Sequence, residues 1–189
     1  MPPLRYSINV SLDGCVDHAA AFSITPETHQ HATDWLADHD VALFGRVTYQ
    51  LMEAWRPDEQ GRLGDWVEPW MESFAQVVGD VRKVVVSSTL EASGWSTEVV
   101  PGDDLVAVVR RLKEEGGRGI ALGGVTLPLA LARLGLIDEY QLVVHPVVVG
   151  HGPYLFEGLA DAVRLVETGH DELPGGVVAR RFVPVAPTL

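Results

Sequence analysis

The sequence has one cysteine, Cys15, so it can form no intramolecular disulfide and carries no sign of an oxidising compartment. It also lacks an apolar run near the roughly 18 residues that cross a bilayer. Its first residues, MPPLRYSINVSLDG, contain no basic stretch followed by an apolar signal core. A cytoplasmic protein with no membrane segment is expected. Cations are scarce: 14 Lys and Arg stand against 26 Asp and Glu, a formal net charge of −12. Such a chain repels a phosphate backbone, and no Lys/Arg-rich stretch offsets this, so nucleic acid is not expected as a partner. A small anionic molecule is still allowed, because helix N-termini and backbone N–H groups hold phosphate without net positive charge.

Several signatures are absent too. Neither the dinucleotide fingerprint G-x-G-x-x-G nor the Walker pattern G-x-x-x-x-G-K-[ST] occurs. No G-x-S-x-G elbow supports a hydrolase. One cysteine cannot build the Pro-Cys-x-x-Cys half of a zinc deaminase site. His29 and His31 lie two apart, which on a helix turns them to different faces, so no metal site is expected.

What is present reads as one α/β domain spanning residues 1–189. Residues 4–12 alternate Leu4, Tyr6, Ile8, Val10 and Leu12 with polar residues, the period of a strand with one face in a core. Thr25-Pro26-Glu27 offers a helix start, and that helix is expected to reach about Asp38. Val41–Phe44 reads as a short buried strand. A helix over 45–55 follows, with Val47, Leu51 and Ala54 on one face. A helix interrupted by Pro69 is expected over 65–80, a β-branched central strand over 83–88, and a helix over 103–117 capped by Asp103 or Asp104. GIAL (119–122) is the next strand, residues 125–134 the next helix, and 139–150 a long strand in which Pro146 suggests a bend or an edge position. Residues 162–185 read as a closing hairpin around LPGG. Strands alternating with helices and an antiparallel tail give a three-layer fold with a mixed sheet.

In open α/β sheets, ligands bind where strands lead into helices. Three such junctions carry phosphate-binding chemistry: LFGRVTY (43–49), VVVSSTL (84–90) and ALGGVTLP (121–128). Each taken singly is also an ordinary turn. Their order, together with SINVSLDG in the first strand, the block LGGVTLPLALARLGLIDEYQLVVHPVVVGHGPYLF and the final hairpin, resembles the dihydrofolate reductase-like superfamily. The resemblance runs from about Arg5 to Val183. It is strongest to the pyrimidine reductase of riboflavin biosynthesis, the RibD C-terminal domain branch.

The resemblance implies a three-layer α/β/α fold whose central sheet is mixed and mostly parallel, with a C-terminal antiparallel hairpin. It also implies a single-domain NADPH-dependent reductase passing a hydride to a small heteroaromatic or pterin-like substrate. The activities it points to are those of 5-amino-6-(5-phosphoribosylamino)uracil reductase or dihydrofolate reductase. Gly45, Arg46 and Thr48 are expected against the cofactor's phosphates, Ser87, Ser88 and Thr89 on its adenosine side, and Gly123, Gly124, Val125 and Thr126 under the pyrophosphate. SSTL (87–90) holds no Arg or Lys, which leaves NADH open beside NADPH. Asn9, Ser11 and Asp13 are expected where nicotinamide and substrate meet. There Asp13 either acts as a general acid or only closes the Asp13-Gly14 turn. Trp55 is expected to line the substrate pocket. No Lys-rich cradle for a ribose-phosphate substrate is evident. The apolar stretch 141–156, and the dimers common among related domains, point to a homodimer. The alternative from another class is a nucleotide-binding or structural homodimer of the same fold without turnover.

Overall fold

The computed structural model describes residues 1–20, 22–91 and 94–185. The alternating N-terminal run forms β1 (Leu4–Ser11), with Leu4, Tyr6 and Val10 buried. Leu12 is 63% exposed, because the strand ends one residue earlier and the chain turns at Asp13-Gly14. Helix α1 (Pro26–Ala37) starts at Thr25 through a reciprocal cap. The Thr25 hydroxyl accepts from the Thr28 N–H at 3.3 Å, and Thr28 Oγ1 accepts from the Thr25 N–H at 2.8 Å. This is the capping-box arrangement with Thr as the third helical residue.

Strand β2 (Val41–Gly45) leads directly into α2 (Arg46–Met52), extended by a short 3-10 turn over Glu53–Trp55. The face carrying Val47 and Leu51 points outward, at 62% and 41% exposed, and it is Tyr49 that enters the core. The helix expected over 65–80 shortens to a 3-10 turn at Pro69–Met71 and α3 (Glu72–Asp80). Next come β3 (Arg82–Val86) and a strand the sequence pattern did not reveal, β4 (Thr97–Val100). Helix α4 (Leu105–Glu114) is capped by Asp104, whose carboxylate accepts from the Ala107 N–H at 2.9 Å. The remaining elements are β5 (Ile120–Leu122), α5 (Thr126–Arg133), β6 (Glu139–His145), β7 (Leu165–Leu173) and β8 (Val177–Pro184).

The strands make one eight-stranded sheet in the order β4-β3-β2-β5-β1-β6-β8-β7. From β4 to β6 neighbours are parallel, and β8 and β7 join antiparallel. The mixed, mostly parallel sheet with a C-terminal hairpin is therefore observed. β6 is an internal strand, so Pro146 does not mark an edge; it stands just past the last strand residue, where a missing N–H breaks no ladder bond.

Two apolar layers cover the sheet. On one face Leu4, Tyr6, Leu43, Leu122 and Tyr140 pack with Leu112 of α4 and Leu131 of α5. On the other, Ala42, Phe44, Val85 and Ala121 pack with Leu36 of α1, Tyr49 of α2 and Val78 of α3. Arg82, Glu98, Arg111 and Glu115 close a ring of four ion pairs across β3, β4 and α4.

Candidate functional site

Because β1, β2, β3, β5 and β6 run parallel, their carboxyl ends open along one edge of the sheet. The three junctions singled out in the sequence all exit there. Two of them touch. Gly124 has φ +97, a conformation L side chains rarely adopt. A Cβ built on it would collide with Thr48 Oγ1 and lie 3.4 Å from Thr48 Cβ. A Cβ on Gly123 would meet the Phe44 ring at 3.3 Å. Each glycine thus has its own reason, Gly123 the Phe44 ring and Gly124 both its φ and the first turn of α2. The Tyr6 hydroxyl, buried under the turn, donates to the Gly124 carbonyl at 2.9 Å and fixes that peptide. Burial raises the Tyr6 pKa, so the phenol stays a donor.

Neither helix starting at this contact has a side-chain cap: Gly45 precedes α2 and Val125 precedes α5. Their first N–H groups have no intrahelical partner, which is the property that suits an anion. Gly45 itself has φ −80, which any residue adopts, so its backbone conformation does not require a glycine. Arg46 is exposed and donates to Gln50 Oε1 at 3.2 Å, and Thr126 is exposed at the start of α5. After β3, Ser87 Oγ accepts from the N–H groups of Thr89 at 3.2 Å and Leu90 at 3.0 Å. That is a serine turn, so the Ser87 oxygen is already engaged, while Ser88 and Thr89 are both exposed.

At the ends of β1 and β6 the arrangement is different. Asn9 is exposed, whereas Val10, Ser11, Val143 and His145 around it are buried. β5 pairs with β1 only at Leu4–Tyr6, so at Asn9 the strand is bonded to β6 alone and the sheet is bare beyond the end of β5. Asn9 Oδ1 lies 3.0 Å from Nε2 of His145, which is 1% exposed. Among the described residues the other ring nitrogen, Nδ1, is buried without a partner, and burial lowers the His145 pKa. The Phe22 ring covers the imidazole at a centroid distance of 4.8 Å.

Ser11 shares the face of Asn9 but is not free to serve this opening. Its hydroxyl is buried in the turn, donating to Asp13 Oδ1 at 2.6 Å and accepting from the Cys15 N–H at 2.8 Å. Asp13 also accepts from the N–H groups of Val149 at 3.1 Å and Gly150 at 2.7 Å. These bonds, that from Ser11 first, hold its pKa down at about 2. A carboxyl ionised at that pH has no proton to give at neutrality, so this geometry favours a clamp between β1 and the 147–150 loop over a general acid. Trp55 belongs to another group: its ring packs against His29 of α1, Trp66 and Phe74 of α3, at 5.6, 4.7 and 4.8 Å between centroids. An open hollow of about 480 Å³ over residues 61–72 contains none of the expected site residues. Among the described residues, no group of His, Cys, Asp and Glu could hold a metal ion, and no helix is long and apolar enough to cross a membrane.

His145 was missed in the sequence reading. Its partner is 136 residues away, and nothing local distinguishes it from the other histidines. The one available signal was its place just before Pro146, at the end of a strand parallel to β1.

Comparison with known proteins gives a consistent result. The family model for the RibD C-terminal domain matches residues 2–179. The uncharacterized protein YyaP of Bacillus subtilis (strain 168) is 29% identical over 147 residues, which cover 77% of this chain and 74% of that protein. A protein of Shewanella sp. PV-4, assigned by its name to riboflavin biosynthesis, superposes with a TM-score of 0.71 at 18% identity, over 97% of this chain and 99% of that one. A diaminohydroxyphosphoribosylaminopyrimidine deaminase/5-amino-6-(5-phosphoribosylamino)uracil reductase of Thermotoga maritima superposes at 0.68 and 14% identity, over 97% of this chain but 57% of that one. At these identities the structural likeness establishes the fold.

Proposed function

The chain belongs to the RibD C-terminal domain family, and on that premise we propose that it is a reductase passing a hydride from NADPH to a small heteroaromatic or pterin-like substrate. One observation carries the reading: the Gly124–Thr48 contact brings two uncapped helix starts together at the carboxyl edge of the parallel strands. Unsatisfied N–H groups from two helices, with the exposed Arg46 as the first residue of α2, fit the pyrophosphate of a dinucleotide. Gly45, Arg46, Thr48 and Gly123 to Thr126 would hold it there, with Ser88 and Thr89 toward the adenosine. Bound NADPH supplies the hydride.

The chain's own contribution is binding and placement. The bare point at Asn9 offers a polar floor for a flat ring at the ends of β1 and β6, and Asp13 keeps the 147–150 loop tied to β1. Residues 16–30 contain no Lys or Arg, so a phosphorylated substrate meets no cation in that segment. The substrate proposed is accordingly the heterocycle, whatever group it bears. Because 84–91 also lacks a cation, the 2′-phosphate is read by hydroxyls, and NADH is expected to bind as well, more weakly.

The test is ligand-dependent stability. A ligand at 100 times its Kd that binds only the folded chain adds about 2.7 kcal/mol, which raises Tm by about 5–10 °C in a domain of this size. No shift with millimolar NADPH and none with NADH would overturn the proposal.

A further inference from the structure

The orphaned nitrogen of His145 decides which way Asn9 points. A neutral imidazole carries one N–H, so His145 has two ways of meeting Asn9. With the proton on Nε2, the ring donates to Asn9 Oδ1, and the buried Nδ1 keeps only an unshared lone pair. With the proton on Nδ1, the amide must turn to donate to Nε2, and an N–H is left buried under Phe22 with no acceptor. An orphaned buried donor is the costlier of the two. The first arrangement therefore prevails, and it leaves the Asn9 NH2 group as the end that faces the opening.

We propose that His145 is a positioning residue which, by donating from Nε2 to Asn9 Oδ1, locks the Asn9 amide with its NH2 group toward the bare point of β1, so that the site reads a hydrogen-bond acceptor, a ring carbonyl or lactam oxygen, on its substrate. This rests on the reading of the β1 and β6 ends as the substrate side. Without His145 the two ends of the amide are nearly equal in shape, and Asn9 would serve a donor or an acceptor alike. The register supports the pairing: Ser11 lies opposite His145 and Asn9 opposite Val143, which sets Asn9 and His145 on the same face of adjacent parallel strands. Ser11, the other polar group there, is engaged in the turn. The selectivity of the floor thus falls to Asn9.

The test uses the full chain, labelled with 15N, in NADP+. Ring 15N shifts read the His145 tautomer directly, and titration with 5,6-diaminouracil and 4,5-diaminopyrimidine compares two flat probes with and without ring carbonyls. The expected results are an Nε2-protonated ring and a preference for the uracil of about tenfold in Kd, the scale of one net hydrogen bond. In His145→Leu that preference falls to about twofold or less, and in His145→Gln, whose amide can donate to Asn9 or accept from it, it falls likewise. NADP+ affinity is the same in all three. An Nδ1-protonated ring, an undiminished preference in His145→Leu, or no binding of either probe would overturn the assignment. If NADP+ itself does not bind, the reductase reading fails, while the tautomer and the probe ratio still decide the role of His145. If His145→Leu does not fold, the tautomer in the unaltered chain and the ratio in His145→Gln decide it.

Discussion

Replacing Gly124 with alanine tests the contact on which the cofactor site is built. Two costs are expected. A side chain at φ +97 is strained by about 1–2 kcal/mol. The new methyl also runs into Thr48 Oγ1 in a packed turn, and such overpacking costs about 1–3 kcal/mol. Together they amount to roughly 2–5 kcal/mol, a fall in Tm of roughly 4–20 °C. The costs separate in a double-mutant cycle with Thr48→Ala. That change removes the colliding oxygen and leaves Thr48 Cβ 3.4 Å from the new methyl, at the edge of ordinary contact. The φ strain remains and the clash does not. Urea denaturation of the four proteins should therefore give a coupling energy of about 1–3 kcal/mol, with the double variant more stable than the sum of the singles predicts. Additivity within about 0.5 kcal/mol would show that the two helix starts do not press on each other, and the argument for a shared anion site would go with it.

Two further outcomes follow from buried and hydrogen-bonded charge. Lys83 is fully buried, its ammonium donating to the carbonyls of Val81 at 2.7 Å and Gly79 at 3.1 Å near the end of α3 and lying over the Trp95 ring; burial lowers its pKa to about 8. The folded chain then binds fewer protons than the unfolded one between about pH 8 and the ordinary lysine value, so stability rises with pH there and is lost again as pH falls through 8. The difference between the native chain and Lys83→Met should change by about 3 kcal/mol across that range, and a flat difference would refute the placement. For Asp13 the sign is the same and the range acidic: its stabilising bonds are complete above the ordinary aspartate pKa and lost as pH falls through about 2. Asp13→Asn should speed hydrogen exchange at the amides of Val149 and Gly150; unchanged exchange would mean that the carboxylate does not hold that loop.

Much of this was legible in local sequence. The period-two run of β1, the Thr25 and Asp104 caps and the Gly-Gly turn follow from chemistry confined to a few neighbouring residues. Long-range pairing was not. β4 is a four-residue edge strand whose first three residues are only half-buried, too short to show a period. The apolar pattern of α2 suggested a buried Val47–Leu51 face, yet the direct β2–α2 junction turns Tyr49 inward instead. At the site, the glycine pair was readable as unusual, but its cause, Phe44 and Thr48, lies on elements almost 80 residues earlier. The Asp13 carboxylate invited a catalytic reading because the amides that occupy it, at 149 and 150, come from the far side of the chain. His145 gave no local sign beyond its place just before Pro146.

Transfer of the hydride itself is the most direct test of the account. The chain should be incubated with NADPH carrying deuterium at both positions of nicotinamide C4 and a panel of uracils, pteridine-diones and pterins, and the products weighed by mass spectrometry. The account predicts reduction of at least one carbonyl-bearing heterocycle with deuterium retained in the product, and loss of that product in Gly124→Ala. Cofactor binding with no reduction across the panel, or reduction without deuterium, would contradict it.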